Sequence, residues 1–151
     1  NLSLYYNQLV FDKEYIVQSI WYRAPEILFN LEFDYSIDIW SLACIVYEII
    51  YRSPLFYCSK EKELYKAFSI ILGDPPKSIK SANIKTRKYF NLNFEPVIHT
   101  TYTENEYMFV KKSKIKAILN DTLRTIIEKT LFWDYRRRIK LEDILYILGK
   151  N

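Results

Sequence analysis

The stretch IDIWSLACIVYEIIY, residues 37–51, decides the fold. It is apolar on every side and is interrupted mainly by Asp38, Ser41 and Glu48. Its length and internal acids argue against a membrane span. A helix that is hydrophobic all round belongs instead at the centre of a domain. Asp34 stands where a carboxylate accepts a backbone N–H of the first turn. These residues therefore predict a core helix, with Trp40 in the core.

Working outward, a second helix is expected over residues 60–72. Leu64, Phe68, Ile71 and Leu72 share one face, Ser59 is available as a cap, and Glu61 lies near the positive end of the helix dipole. Gly73 followed by Pro75 and Pro76 then stops the chain. Residues 74 to about 115 are rich in Lys, Asn and Thr with weak periodicity. They predict an irregular surface segment with at most short helices, and EYMFV (106–110) reads as a candidate short strand. Helical spacing returns at Leu123, Ile126, Ile127 and Leu131, and again at Leu141, Ile144, Leu145 and Leu148. The expected architecture is mainly α.

Composition narrows the function. The 151 residues are half hydrophobic and 17% aromatic, with 14 Tyr and 9 Phe, which is a folded domain and not a disordered chain. Only two glycines are present, Gly73 and Gly149, so a function needing a glycine-rich loop is disfavoured. The net charge of +4, from 22 basic and 18 acidic residues, fits a mixed solvated surface better than a nucleic-acid footprint. Cys44 and Cys58 lack metal-ligand spacing, and Cys44 reads as a small core residue in a reducing compartment. The opening NLSLYYNQLVFDKE has no basic start or long apolar stretch, so no secretory signal is read there. The expected location is intracellular, nuclear or cytoplasmic.

Ahead of the core helix stands WYRAPEIL, residues 21–28. Pro25 suits the first turn of a short helix, where its missing N–H costs nothing. Tyr22 and Arg23 are thereby held just before that helix. Spacing alone leaves a recognition loop and an ordinary structural turn both open.

Read together, YRAPE, IDIWSLACI, SPLF, IILGDPP and WDYRRRI form an ordered series that resembles the C-terminal lobe of protein kinases. It is similar to the CMGC group in particular, and the likeness runs from about Lys13 to Leu148. FDYSIDIW, SANIKTRKYFN and LFWDYRRRI look most like the dual-specificity tyrosine-regulated, homeodomain-interacting and pre-mRNA-processing kinases, whereas IWY looks like a cyclin-dependent kinase. The resemblance implies one partial kinase domain over residues 1–151, entered within the activation segment.

Several residue roles follow from that resemblance. Glu26 matches the acid closing the APE motif and Arg138 its distant partner, a pairing that a forked guanidinium serves well. The alternative leaves Arg136, Arg137 and Arg138 as a solvated or phosphate-binding run. Asp38 matches an aspartate that anchors the catalytic loop, a structural role. Ser19, Ile20, Trp21, Tyr22 and Arg23 match the loop that receives the substrate. Ser19 occupies the place whose hydroxyl faces the catalytic aspartate, and Arg23 matches the arginine that in many relatives favours proline after the phosphoacceptor. Ile20 departs from a basic residue, and the phosphotyrosine position falls on Ile16. Glu14 occupies the activating phosphothreonine position and Tyr15 lies one place off register; both are candidate regulatory positions.

The parts that hold ATP phosphates, bind Mg²⁺ and position the hydroxyl are not matched. His99 is the one histidine and is not followed by Arg-Asp, and no Asp-Phe-Gly occurs. No catalytic or metal residue is therefore expected here, and ATP and Mg²⁺ are implied only for an upstream half. Two functions stand side by side: the substrate platform of a Ser/Thr kinase, or a kinase-derived module that binds proteins through its activation segment, the helix over 60–72 and the basic 111–116 segment. KKSKIK (111–116) and Arg136–Arg138 suggest nucleic acid only weakly, and no membrane role is expected.

Overall fold

The computed structural model describes residues 18–98 and 102–150. A 3-10 turn at Ile20–Tyr22 leads into the four-residue helix α1 (Pro25–Leu28), whose first turn holds Pro25. The core helix α2 (Ser36–Tyr51) follows. The Asp34 carboxylate accepts the Ser36 N–H at 2.8 Å, so the expected cap acts two residues ahead as a tight turn. Trp40 is fully buried; its ring stacks on Phe56 at 5.7 Å and meets Phe68 edge-on at 5.3 Å. Cys44 is buried beside it, and both cysteines are free thiols. The expectation of all-round burial needs one correction. Leu42, Ile45 and Ile49 form an exposed stripe along α2, spaced by three and four residues.

Helix α3 (Glu61–Leu72) buries Leu64, Phe68 and Ile71, as its spacing predicts. Its start differs from expectation. The Ser59 hydroxyl does not cap the helix but donates to Glu63 at 3.2 Å, and the same carboxylate receives the Ser59 and Lys60 N–H groups at 2.8 and 3.2 Å. Those bonds, led by the Ser59 N–H, hold the Glu63 carboxyl below its ordinary range. Gly73, at φ 84°, ends the helix, and its carbonyl accepts the Trp133 indole N–H at 3.1 Å.

The segment after Gly73 departs most from the sequence reading. It begins with short pieces, α4 (Lys77–Lys80) and a 3-10 turn at Ile84–Lys88. It then forms a helix of four turns, α5 (Tyr102–Lys116), so EYMFV is helical and not a strand. Met108, Lys111 and Ile115 are buried along its inner side, which faces α3, and Ile118 is buried just past its end. The stripe is a helical one, but a lysine holds one of its places and hides it. The Lys111 ammonium donates to the carbonyls of Pro54 and, at 2.9 Å, Leu55, two acceptors a hydrocarbon would leave unmet.

Helix α6 (Asp121–Glu128) is capped by Asn120, whose side chain accepts the Leu123 N–H at 3.0 Å. Leu131 lies beyond its end. In α7 (Leu141–Gly149), Ile144 and Ile147 pack inward with Ile39, Ile126 and Ile139, whereas Leu141, Leu145 and Leu148 are exposed. Among the described residues there is no strand, only an isolated antiparallel bridge between Phe90 and Pro96. The fold is mainly α, and among these residues no helix is long and apolar enough to cross a membrane.

Candidate functional site

The loop from Gln18 to Arg23 is fixed from three directions. Gln18 adopts φ 66°, a left-handed conformation that its side chain holds in place. Its amide oxygen accepts the Ala24 N–H at 2.9 Å, and its amide nitrogen donates to the Ile37 carbonyl at 2.8 Å and the Ser41 hydroxyl at 2.6 Å. Ser41 in turn donates to the Tyr22 carbonyl at 3.0 Å. Gln18 thus ties the loop to the first turns of α2. Sequence reasoning did not single it out, because nothing in a glutamine marks a left-handed residue.

Ser19 is exposed, with its carbonyl accepting the Tyr22 N–H at 3.0 Å. Ile20 is half-buried against the core. The Trp21 indole donates to the Cys58 carbonyl at 2.8 Å, with its ring 5.0 Å from that of Tyr57. The Tyr22 hydroxyl donates to Glu48 at 2.6 Å, a bond that pushes the phenol above its ordinary range. Trp21 and Tyr22 therefore anchor the loop, while Ser19 faces outward.

Arg23 is the charged residue of the loop. Its Nη1 donates to Glu61 of α3 at 3.1 Å, and its Nη2 makes a long bond of 3.4 Å to the Gln18 carbonyl. Lys85 approaches the same Glu61 oxygen at 3.8 Å. Burial, the largest cause, and the nearby Glu61 carboxylate raise the pKa of the Tyr89 phenol. Neither Glu61 as a partner of Arg23 nor Lys85 as a third member was read from the sequence. The Arg23–Glu61 contact spans 38 residues of chain, Lys85 comes from a separate segment, and neither leaves a local pattern.

Beneath the loop, Arg138 and Glu26 form a two-bonded pair, Nη1 to Oε1 at 2.6 Å and Nη2 to Oε2 at 2.7 Å, with both side chains almost fully buried. Arg138 also donates to the Phe132 and Ser36 carbonyls and lies 4.8 Å above the Trp40 ring. Arg136 is exposed and pairs with Asp134 at 2.9 Å, and Arg137 lies over the Phe132 ring. Asp38 lies exposed in the first turn of α2. Lys111 and Lys112 bond to internal carbonyls, Lys112 to that of Ile70 at 3.1 Å, so the 111–116 run is not the free basic strip its sequence suggests. Glu14, Tyr15, Ile16 and His99 lie outside the described residues.

Among the described residues, no three His, Cys, Asp or Glu side chains gather to hold a metal ion. What the residues present build is a rigid turn with one exposed hydroxyl, a reversed carbonyl and a guanidinium lying on that carbonyl.

Comparison with known proteins shows what the chain is similar to. The protein kinase domain model matches residues 5–147. The chain is 32% identical over 156 residues to the serine/threonine-protein kinase ppk5 of Schizosaccharomyces pombe, which covers 99% of this chain and 18% of that protein. It is 31% identical over 144 residues to the probable serine/threonine-protein kinase dyrk2 of Dictyostelium discoideum, covering 93% of this chain and 15% of the relative. The mitogen-activated protein kinase HOG1 of Blumeria graminis is 30% identical over 139 residues, covering 85% of this chain and 34% of the relative. The chain thus spans about a third or less of the length of each of these relatives.

Proposed function

Because the chain belongs to the protein kinase family, we propose that it is the substrate-reading part of the C-terminal lobe of a CMGC-type Ser/Thr kinase. The substrate class is a peptide with proline directly after the phosphoacceptor. The Gln18 carbonyl carries this reading. It is turned out by the left-handed φ of 66° and already accepts a bond from Arg23. A substrate residue with an N–H at that place finds its acceptor taken. An unpaired buried donor costs about 1–3 kcal/mol, or roughly 5- to 150-fold in binding. Proline carries no N–H and escapes that cost.

The phosphate donor, ATP with Mg²⁺, is assigned to residues outside these 151. Within them, Ser19, Ile20, Trp21, Tyr22 and Arg23 form the platform, and Glu26, Asp38 and Arg138 form its structural base. Glu14 and Tyr15 remain regulatory positions of the activation segment. The partners are protein substrates and regulators, and an intracellular site, nuclear or cytoplasmic, follows from that activity.

The test is phosphate transfer from ATP by the full-length product to two peptides that differ only in Pro or Ala after the acceptor Ser. Transfer with at least a fivefold preference for the Pro peptide supports the reading. Transfer to neither peptide overturns it and leaves a protein-binding module.

A further inference from the structure

Arg23 blocks the Gln18 carbonyl only while its guanidinium is correctly turned, and the structure shows what turns it. Its Nε is buried without a hydrogen-bond partner among the described residues. Its orientation therefore rests on Nη1 and Nη2. The Nη2 contact is the long one, at 3.4 Å, and the Nη1 contact to Glu61 is both shorter and charge-assisted. Glu61 in turn does not wander. It belongs to the first turn of α3, and the Lys85 ammonium lies 3.8 Å from the same oxygen, beyond hydrogen-bond distance. Arg23 itself is only 11% exposed, against 36% for Glu61, so the bond runs from the protein surface into the loop.

We infer that Glu61 is a positioning residue for substrate selection: its carboxylate holds Arg23 on the Gln18 carbonyl and so enforces proline after the phosphoacceptor. The inference rests on the proline-directed reading above and adds the residue that sets its stringency. Glu61 touches no substrate. It acts through Arg23, and Lys85 shares its charge without being needed for the selection.

This has an unusual signature. Without the Glu61 charge, Arg23 swings away and frees the Gln18 carbonyl for the N–H of a residue other than proline. A loss of an ion pair then improves the poor substrate, which ordinary damage to the loop does not do.

The experiment measures kcat and KM of the full-length product on the Ser-Pro and Ser-Ala peptides, for wild type, E61Q and K85M. Thermal unfolding of each variant is followed in parallel. Glu61→Gln keeps the shape and removes the charge. The expected result is a KM for the Ser-Ala peptide lowered about fivefold or more in E61Q, with both kcat values and the Ser-Pro KM unchanged. K85M should keep wild-type selectivity. The inference is overturned if E61Q retains the wild-type ratio, or loses activity equally on both peptides while folded. In either case the proline-directed reading survives. A wild type that transfers phosphate without preferring proline overturns that reading, and this inference with it. If E61Q fails to fold, Arg23→Lys supplies the test, because lysine cannot fork between Glu61 and Gln18. An unchanged ratio in that variant also overturns the inference.

Discussion

Arg138 grips Glu26 with two bonds, at 2.6 and 2.7 Å, across 112 residues of chain. The pair fastens the short helix after the 18–23 loop to the segment before α7, and it does so with almost no solvent contact. Removing one member strands the other charge. Glu26→Gln is expected to cost about 3–5 kcal/mol in urea unfolding. The double variant E26Q/R138M should recover much of that loss, because no charge then remains buried. A double variant no more stable than E26Q would show that the arginine's bonds to Phe132 and Ser36 matter more than the charge.

Lys111 offers a second test of a buried cation. Its ammonium serves the carbonyls of Pro54 and Leu55 from the inner face of α5. Lys111→Met keeps the side-chain length and the helix propensity while removing both donors. The expected loss is about 1–3 kcal/mol in equilibrium unfolding, since buried acceptors go unmet. A stabilised K111M would mean that desolvating the ammonium outweighs those bonds.

The same lysine explains where the sequence was hard to read. The core helix and α3 were legible because their inward places are apolar at a helical period. Met108, Lys111, Ile115 and Ile118 have that period too, yet the charged member makes the stripe look like surface, and α5 was missed. The partnership of Glu26 and Arg138 came from family likeness, since no spacing rule links residues so far apart. Gln18 and Glu61 were not found as site residues for a related reason. One depends on a backbone angle and the other on a contact between separate elements. In α7 the period was right, but Ile147, not Leu145 or Leu148, faces inward.

The exposed stripe of Leu42, Ile45 and Ile49 on α2 predicts the behaviour of the 151-residue chain by itself. Contiguous apolar surface of this kind promotes self-association. Light scattering at micromolar concentration should show larger species, and Ile45→Lys with Ile49→Glu should reduce them. Scattering unchanged by the pair of substitutions would locate the sticky surface elsewhere, α7 being the next place to look.

Glu63 gives a pH dependence whose sign can be worked out. Its carboxylate accepts the Ser59 and Lys60 N–H groups at the start of α3, and those bonds lower its pKa in the folded chain from an ordinary 4.5. A lowered folded-state value means that the ionised carboxylate contributes stability fully above pH 4.5, where the unfolded chain is also ionised. That contribution is lost as pH falls through the folded-state value. Glu63→Gln keeps a neutral acceptor but removes the charge. Wild type should exceed E63Q by about 0.5–1 kcal/mol at pH 7, the modest worth of a cap that water screens. The gap should close below pH 4.5 as the wild-type carboxyl takes up its proton. Urea unfolding of both proteins between pH 3 and 7 measures it, and a gap that stays constant would assign the cap to hydrogen-bond geometry without charge.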